Sequence, residues 1–402
     1  MAPRVKANVR PALLVWARTT AGFSESTAAQ RLGVEPEVLA RWENETDEAA
    51  PSIPQLRKLA DLYKRPLAAF FLAEPPIQFQ IIRDFRRLPE SGPQRPYSPD
   101  LFLEIRRAAE RRALAIELLA DLEEQPSGFA LEANIGEDTE VVGQRIRAAL
   151  RVTAELQDRW ADPDGRTSFN SWRQRIEEAG SLVFQMTAVE SSEASGFAIA
   201  DRPLPVIVVN QKDTVTRRTY SLLHELAHLM LRLSGVSEID AEIPRSGGGG
   251  RQAEGFCNQT AAAALMPRTD LLDDRRVSAK PNKSDKWTDE EIRDLSRRFG
   301  VSRVALVRRL LTVGKTTVAF YDSKRAQYDA EFRAQRAKQR EVPATQVKRN
   351  MPQEAISNLG KPLVGLILGN YNVDNISLSA AAGYLGIKAQ HIPKLEAKVS
   401  GR

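Results

Sequence analysis

The chain has 402 residues, 58 Lys and Arg against 52 Asp and Glu, one cysteine and three histidines. At roughly 100–200 residues per domain this length calls for two to four domains, and a 42% hydrophobic content excludes a disordered chain. The single Cys257 excludes an internal disulfide framework and a Cys-cluster zinc site. No stretch approaches the roughly 18 uninterrupted apolar residues of a membrane span, so a cytoplasmic protein without membrane partners is expected. A net charge of +6 is too mild to establish nucleic-acid binding by itself.

In chain order, residues 1–75 form an all-helical unit. Apolar residues recur at helical spacing from Pro11 to Ala21, and Ser26 to Leu32 ends at Gly33, a C-cap able to take positive φ. A third helix runs from Pro36 to about Asn44, a fourth from Ile53 to Tyr63, and Pro66 opens Leu67 to Leu72. Short helices around a Gly turn, with Trp42 on the packing side, are the pattern of a helix-turn-helix domain. Ala28-Ala29-Gln30-Arg31-Leu32-Gly33-Val34, Trp42-Glu43, Pro51-Ser52 and Leu56 to Ala60 resemble the Xre/Cro-type domain of phage repressors. The resemblance implies DNA contact near the start of the third helix. There Glu35, Glu37, Glu43 and Glu45 oppose phosphate contact, and Arg41 is the one basic candidate for DNA binding.

Residues 76–165 read as a helical linker region with a Pro/Ser/Gly stretch from Pro89 to Pro99. A charged helix follows, Leu101 to Glu124, with Leu103, Leu114, Leu118 and Leu122 on its apolar face and Arg106-Arg107 and Arg111-Arg112 on a solvated one. From 166 to 272 the period changes. A helix from Phe169 to Ala179 is stopped by Gly180, and Ser181 to Met186, Gly196 to Ile199 and Val206 to Val209 are short strands, giving a small α+β domain. A basic helical region, 273–349, and a small C-terminal helical region, 350–402, complete a multidomain, mainly α chain. Residues 271–349 hold twenty Lys and Arg against eleven Asp and Glu. Arg293 to Gly314 is helix, Gly turn, helix: a second helix-turn-helix or the basic surface of a helical pair. Pro352 to Lys398 repeats that style, with Leu385-Gly386-Ile387-Lys388 at its turn.

His224-Glu225-Leu226-Ala227-His228 carries the chemistry. On a helix, residues four apart share a face, so both imidazoles reach one cation while Glu225 projects beside it as general base toward the attacking water. Zinc accepts neutral imidazole nitrogen and needs a third protein ligand in a catalytic site; manganese or iron fits similar ligands. Glu238, Asp240, Glu242 and Glu254 are candidates. The first three lie in a loop ending in Gly247 to Gly250, where rigid placement is difficult, whereas Glu254 begins an apolar helix stopped by Pro267 and is preferred. Asn258, one turn on, is a candidate to hydrogen-bond a ligand or to fix the helix. Tyr220 is expected to pack the start of the His224 helix, and His391 has no assigned role.

His224 to His228, together with Glu254-Gly255-Phe256-Cys257-Asn258 through Met266-Pro267, resembles the ImmA/IrrE family of metallopeptidases. Asp84-Phe85-Arg86, Trp172, Gly180, Gly196-Phe197 and Val206 to Asn210 fit its extended form with an N-terminal Xre-type domain. The resemblance implies a zincin-like fold that cleaves a helix-turn-helix repressor, with His224, His228 and Glu254 as metal ligands and Glu225 as the catalytic carboxylate. Cys257 lies inside the motif as a helix-packing thiol. The alternative is a DNA-binding transcription regulator or toxin–antitoxin component whose zincin-like domain has little or no turnover.

Overall fold

A computed structural model describes residues 6–44, 49–76, 97–237, 249–341 and 350–399. The chain divides into two compact units, Met1–Glu110 and Arg111–Arg402. The first is built from α1 (Pro11–Thr20), α2 (Glu25–Leu32), α3 (Pro36–Trp42), α4 (Ile53–Tyr63), a 3-10 turn (Leu67–Phe71) and the first part of α5 (Pro99–Asp121). Each boundary follows local chemistry. Pro stands in the first turn of α1, α3 and α4; Ser24 Oγ accepts the Thr27 N–H at 3.1 Å; and Gly33 takes the left-handed conformation at φ 69°. Leu14, Ala28, Ala29, Leu39, Trp42, Leu56 and Phe70 close one core.

The second unit contains α6 (Thr139–Ala149), α7 (Ala154–Asp158), α8 (Arg166–Glu178), β1 (Leu182–Met186), β2 (Gly196–Ile199), β3 (Val206–Asn210), α9 (Val215–Met230), β4 (Gly235–Ser237) and α10 (Gly249–Leu265). It continues with α11 (Arg268–Asp273), α12 (Arg275–Ser278), α13 (Asp289–Phe299), α14 (Arg303–Thr312), α15 (Val318–Glu341), α16 (Met351–Asn372, broken at Gly360), α17 (Leu378–Leu385) and α18 (Ile392–Val399). The architecture is mainly helical around a small sheet of order β1-β3-β2-β4, in which only β1 and β3 are parallel. Every residue of β1, β2 and β3 is buried, because α8 and α9 pack on the strands and α16 lies along β1. Those runs are therefore apolar except for Gln185 and Asn210, rather than alternating.

One hydrophobic core extends from Phe129 to Tyr328 and crosses positions 165 and 272, where the sequence suggests boundaries. Helix α6 contributes Val142 and Ile146 to it and closes on α10 at Gly143, where a Cβ would lie 2.8 Å from that of Ala263 and 2.9 Å from backbone of α10. The end of α10 is held by side chains distant in sequence. Arg147 donates to the carbonyl of Ala264 at 3.0 Å, Gln157 to that of Leu265 at 2.8 Å and Arg309 to that of Met266 at 2.9 Å. These are carbonyls that a helix C-terminus otherwise leaves without partners.

Of the two arginine pairs of α5 only Arg107 is solvent-exposed, beside Glu104; the other three guanidinium groups are engaged within the fold. Arg106 is buried and donates to the Tyr63 carbonyl at 3.2 Å, Arg112 donates to the carbonyls of Leu204, Asp201 and Pro203, and the Arg111 guanidinium lies over the Phe184 ring. A planar guanidinium offers several donors and can serve buried carbonyls in this way, which a count of charges in sequence does not reveal.

Candidate metal centre

Helix α9 is capped by Thr214, whose hydroxyl accepts the Arg217 N–H at 3.3 Å, and it carries no Pro or Gly. All ten residues from Ser221 to Met230 are buried. Leu222, Leu223, Leu226 and Leu229 anchor the helix in the main core, each contributing about 1.5–3 kcal/mol of burial. Against that apolar surround His224 and Glu225 are completely buried and His228 nearly so. Buried polar groups persist only where partners compensate them.

Those partners converge. His224 Nε2 and His228 Nε2 lie 3.1 Å apart, with their rings at 64°. Glu254, on α10, places Oε2 3.2 Å from His224 Nε2 and Oε1 3.3 Å from His228 Nε2. Two donors each about 2.1 Å from a common ion and tetrahedrally disposed are separated by about 3.4 Å, so this triangle has the size of a zinc coordination face. Two imidazoles and one carboxylate are also the donor chemistry of a catalytic site, and the three residues fit a metal ion. Burial pushes the Glu254 carboxyl up, but its hydrogen bonds and charge interactions with His224 and His228 outweigh that and hold it well below the usual carboxylate range. It is thus an anion at neutral pH, as a ligand must be. His224 Nδ1 is buried without a hydrogen-bond partner.

Glu225 faces strand β2. A Cβ built on Gly196 would lie 2.9 Å from Glu225 Oε1 and 2.8 Å from the Val208 carbonyl oxygen. Gly196 pairs with Val209 on one side and Ser237 on the other, so its backbone is fixed between two strands. The missing side chain is what gives the Glu225 carboxylate its place. In the sequence Gly196 marks the start of a strand run and part of a resemblance; a Gly in a strand pattern is also the signal for such a close approach.

The other predicted residues separate clearly. Asn258 Oδ1 is buried without a partner, and its backbone carbonyl accepts the Tyr220 hydroxyl at 2.7 Å. Tyr220 therefore ties α9 to α10, and burial raises its hydroxyl pKa further. Cys257 is buried, and burial together with the charges of Glu254 and Glu225 pushes its thiol well up, in keeping with the expected helix-packing thiol. Arg217 is engaged by Ser195 and Asp213, and Arg218 by Gln185. Glu238, Asp240 and Glu242 lie outside the described residues, as do Glu45, Asp84-Phe85-Arg86 and Gly247-Gly248.

In the N-terminal unit Arg41, Glu35 and Glu37 are exposed on α3. Glu43 is not on that face: Arg18 holds its carboxylate at 2.7–3.0 Å through three hydrogen bonds from Nε and Nη2. Much of the positive charge after residue 271 is likewise used internally. Arg298 binds Asp158 and Asp274, Arg303 binds Glu331 and stacks on Tyr328 at 4.0 Å, Arg308 lies over Tyr321, and Arg309 binds Glu140. No residue from Val301 to Leu311 is exposed, so most of α14 is packed within the fold.

Residues 177–311 match the IrrE N-terminal-like domain of peptidase family M78, and residues 14–70 match the helix-turn-helix family. No curated protein matches the chain significantly. No helix among the described residues is long and apolar enough to cross a membrane.

Proposed function

Because the chain joins an M78-type peptidase domain to a helix-turn-helix domain, we propose that it is an intracellular metal-dependent endopeptidase that cuts a DNA-binding repressor. The observation that carries this is the triangle of His224, His228 and Glu254, with Glu225 the residue next to His224 on α9. A bound divalent ion, zinc for these donors with manganese or iron as substitutes, would supply Lewis-acid polarisation of the scissile carbonyl and of water. Glu225 accepts the proton of the attacking water and delivers it to the departing amine, leaving a carboxylate and an amine as products. Asn258, one turn beyond Glu254 on α10, is the proposed residue to hydrogen-bond a metal ligand or to fix the helix that carries Glu254. Arg41 is the proposed N-terminal DNA contact.

The test uses purified full chain and, as substrate, helix-turn-helix repressors of its own source, any small repressor encoded beside its gene being tried first. Cleavage into two fragments should stop with 1,10-phenanthroline and return on adding zinc. A repressor left intact by zinc-loaded protein would favour the regulator with a weakly active zincin-like domain, which rests on the helix-turn-helix match alone.

Gly196→Ala offers an independent check on how Glu225 is placed. The new methyl meets Glu225 Oε1 and the Val208 carbonyl, and the strand backbone cannot retreat, so the carboxylate is displaced. Cleavage should fall by about 10- to 100-fold, the scale of an ångström-level misplacement, while bound metal stays near the wild-type level. A fully active Gly196→Ala protein would show that Glu225 is not positioned by this contact.

A further inference from the structure

The three C-terminal helices share no residue with the metal centre, yet they reproduce the N-terminal pair α2 and α3 position by position. Ser24 and Ser377 both cap a helix, accepting the N–H of Thr27 at 3.1 Å and of Ala380 at 3.2 Å. At one constant offset, Ala28 corresponds to Ala381, Gly33 to Gly386, Val34 to Ile387, Leu39 to Ile392 and Trp42 to Leu395. The two glycines take nearly the same left-handed conformation, φ 69° and ψ 40° for Gly33, φ 65° and ψ 28° for Gly386. In both turns the following residue closes a 6→1 hydrogen bond, Val34 to Ala29 and Ile387 to Ala382, each at 3.1 Å. Ala28, Leu39 and Trp42 are buried in the first unit, as are Ala381, Ile392 and Leu395 in the second. Helix α16, which packs on both α17 and α18, supplies Leu363, Val364 and Ile367 to the buried side.

The exposed positions differ in the sense that matters for phosphate. Where the first turn carries exposed Glu35 and Glu37, the second carries exposed Lys388 and Gln390; where α3 carries Arg41, α18 carries exposed Lys394. Lys398, one turn further along α18, is also exposed, and Glu396 is the one acidic residue of α18. Lysines neutralise phosphates, and Gln hydrogen-bonds base edges or phosphate oxygens, whereas two carboxylates at the same places repel the backbone.

We propose that residues 351–399 form a second helix-turn-helix that binds duplex DNA through Lys388, Gln390, Lys394 and the exposed side of α18. Charge complementarity selects DNA over an apolar protein partner for this face. The chain then carries two units of one pattern, an acidic one at its N-terminus and a basic one at its C-terminus.

The experiment is fluorescence anisotropy of a labelled 30-base-pair duplex of mixed sequence with the full chain, from 50 to 200 mM salt. Lys388→Glu/Lys394→Glu changes only exposed side chains and should weaken binding at 50 mM salt at least tenfold. It should also reduce the slope of log affinity against log salt by about 2, as two phosphate contacts are lost. Lys388→Arg/Lys394→Arg should bind as wild type, which separates loss of charge from loss of folding. Glu225→Gln should also bind as wild type, so the outcome is independent of the peptidase reading. The proposal is overturned if the wild-type chain binds no duplex at 50 mM salt, or if the Glu double variant keeps wild-type affinity and salt slope.

Discussion

Glu254→Ala is expected to yield a folded chain that retains less than about a tenth of the wild-type metal and loses cleavage in parallel. Glu254 bridges the two imidazoles and is the anionic member of the cluster, held ionised by them despite its burial. Its removal leaves two neutral nitrogens, which bind a divalent ion far more weakly than three donors including a charge. Losing an outer partner of a ligand costs about 10–100-fold in metal affinity, and losing the ligand itself should exceed that. Bound metal also stabilises the folded state by mass action, about 2.7 kcal/mol at 100 times Kd, so zinc should raise the thermal midpoint of the wild type but not of Glu254→Ala. Elemental analysis and thermal denaturation with and without zinc read both effects. Full metal content in Glu254→Ala would return the third ligand to Glu238, Asp240 or Glu242.

Glu225→Gln should do the reverse, keeping the metal and losing the reaction. Gln has nearly the same shape, so it fits the space over Gly196 and leaves the Nε2 triangle intact, but it cannot accept a proton. General-base catalysis contributes about 10²–10⁴ in rate, and a thousandfold loss corresponds to about 4 kcal/mol of barrier. The two substitutions therefore divide the centre into a part that binds and a part that moves a proton.

What was legible in the sequence was local. His224 and His228 are four residues apart, and helical geometry alone brings them together; Gly33, Gly300 and Gly386 announce helix ends because the left-handed conformation favours glycine. The strands at 182–186, 196–199 and 206–210 were visible as short apolar β-rich runs. What escaped was long-range. The side chains that hold the end of α10 come from Arg147, Gln157 and Arg309, and no sequence window contains a donor and its acceptor together. The same limit made Arg106 and Arg112 look solvated and Glu43 look exposed, because their partners are set by tertiary packing. Strand β4 spans three residues, too few for a period to appear. Net charge misled for a related reason: much of the positive excess after residue 271 is engaged within the fold, whereas the smaller set on α18 faces outward.

The central claim is that one carboxylate beside a two-histidine, one-glutamate metal face drives peptide hydrolysis. Its most direct test is to measure metal content and repressor cleavage on the same preparation of Glu225→Gln, beside wild type. The account predicts equal metal, close to one ion per chain, with cleavage in the wild type only. Cleavage by Glu225→Gln at the wild-type rate, or a metal-free wild type that still cuts, would contradict it.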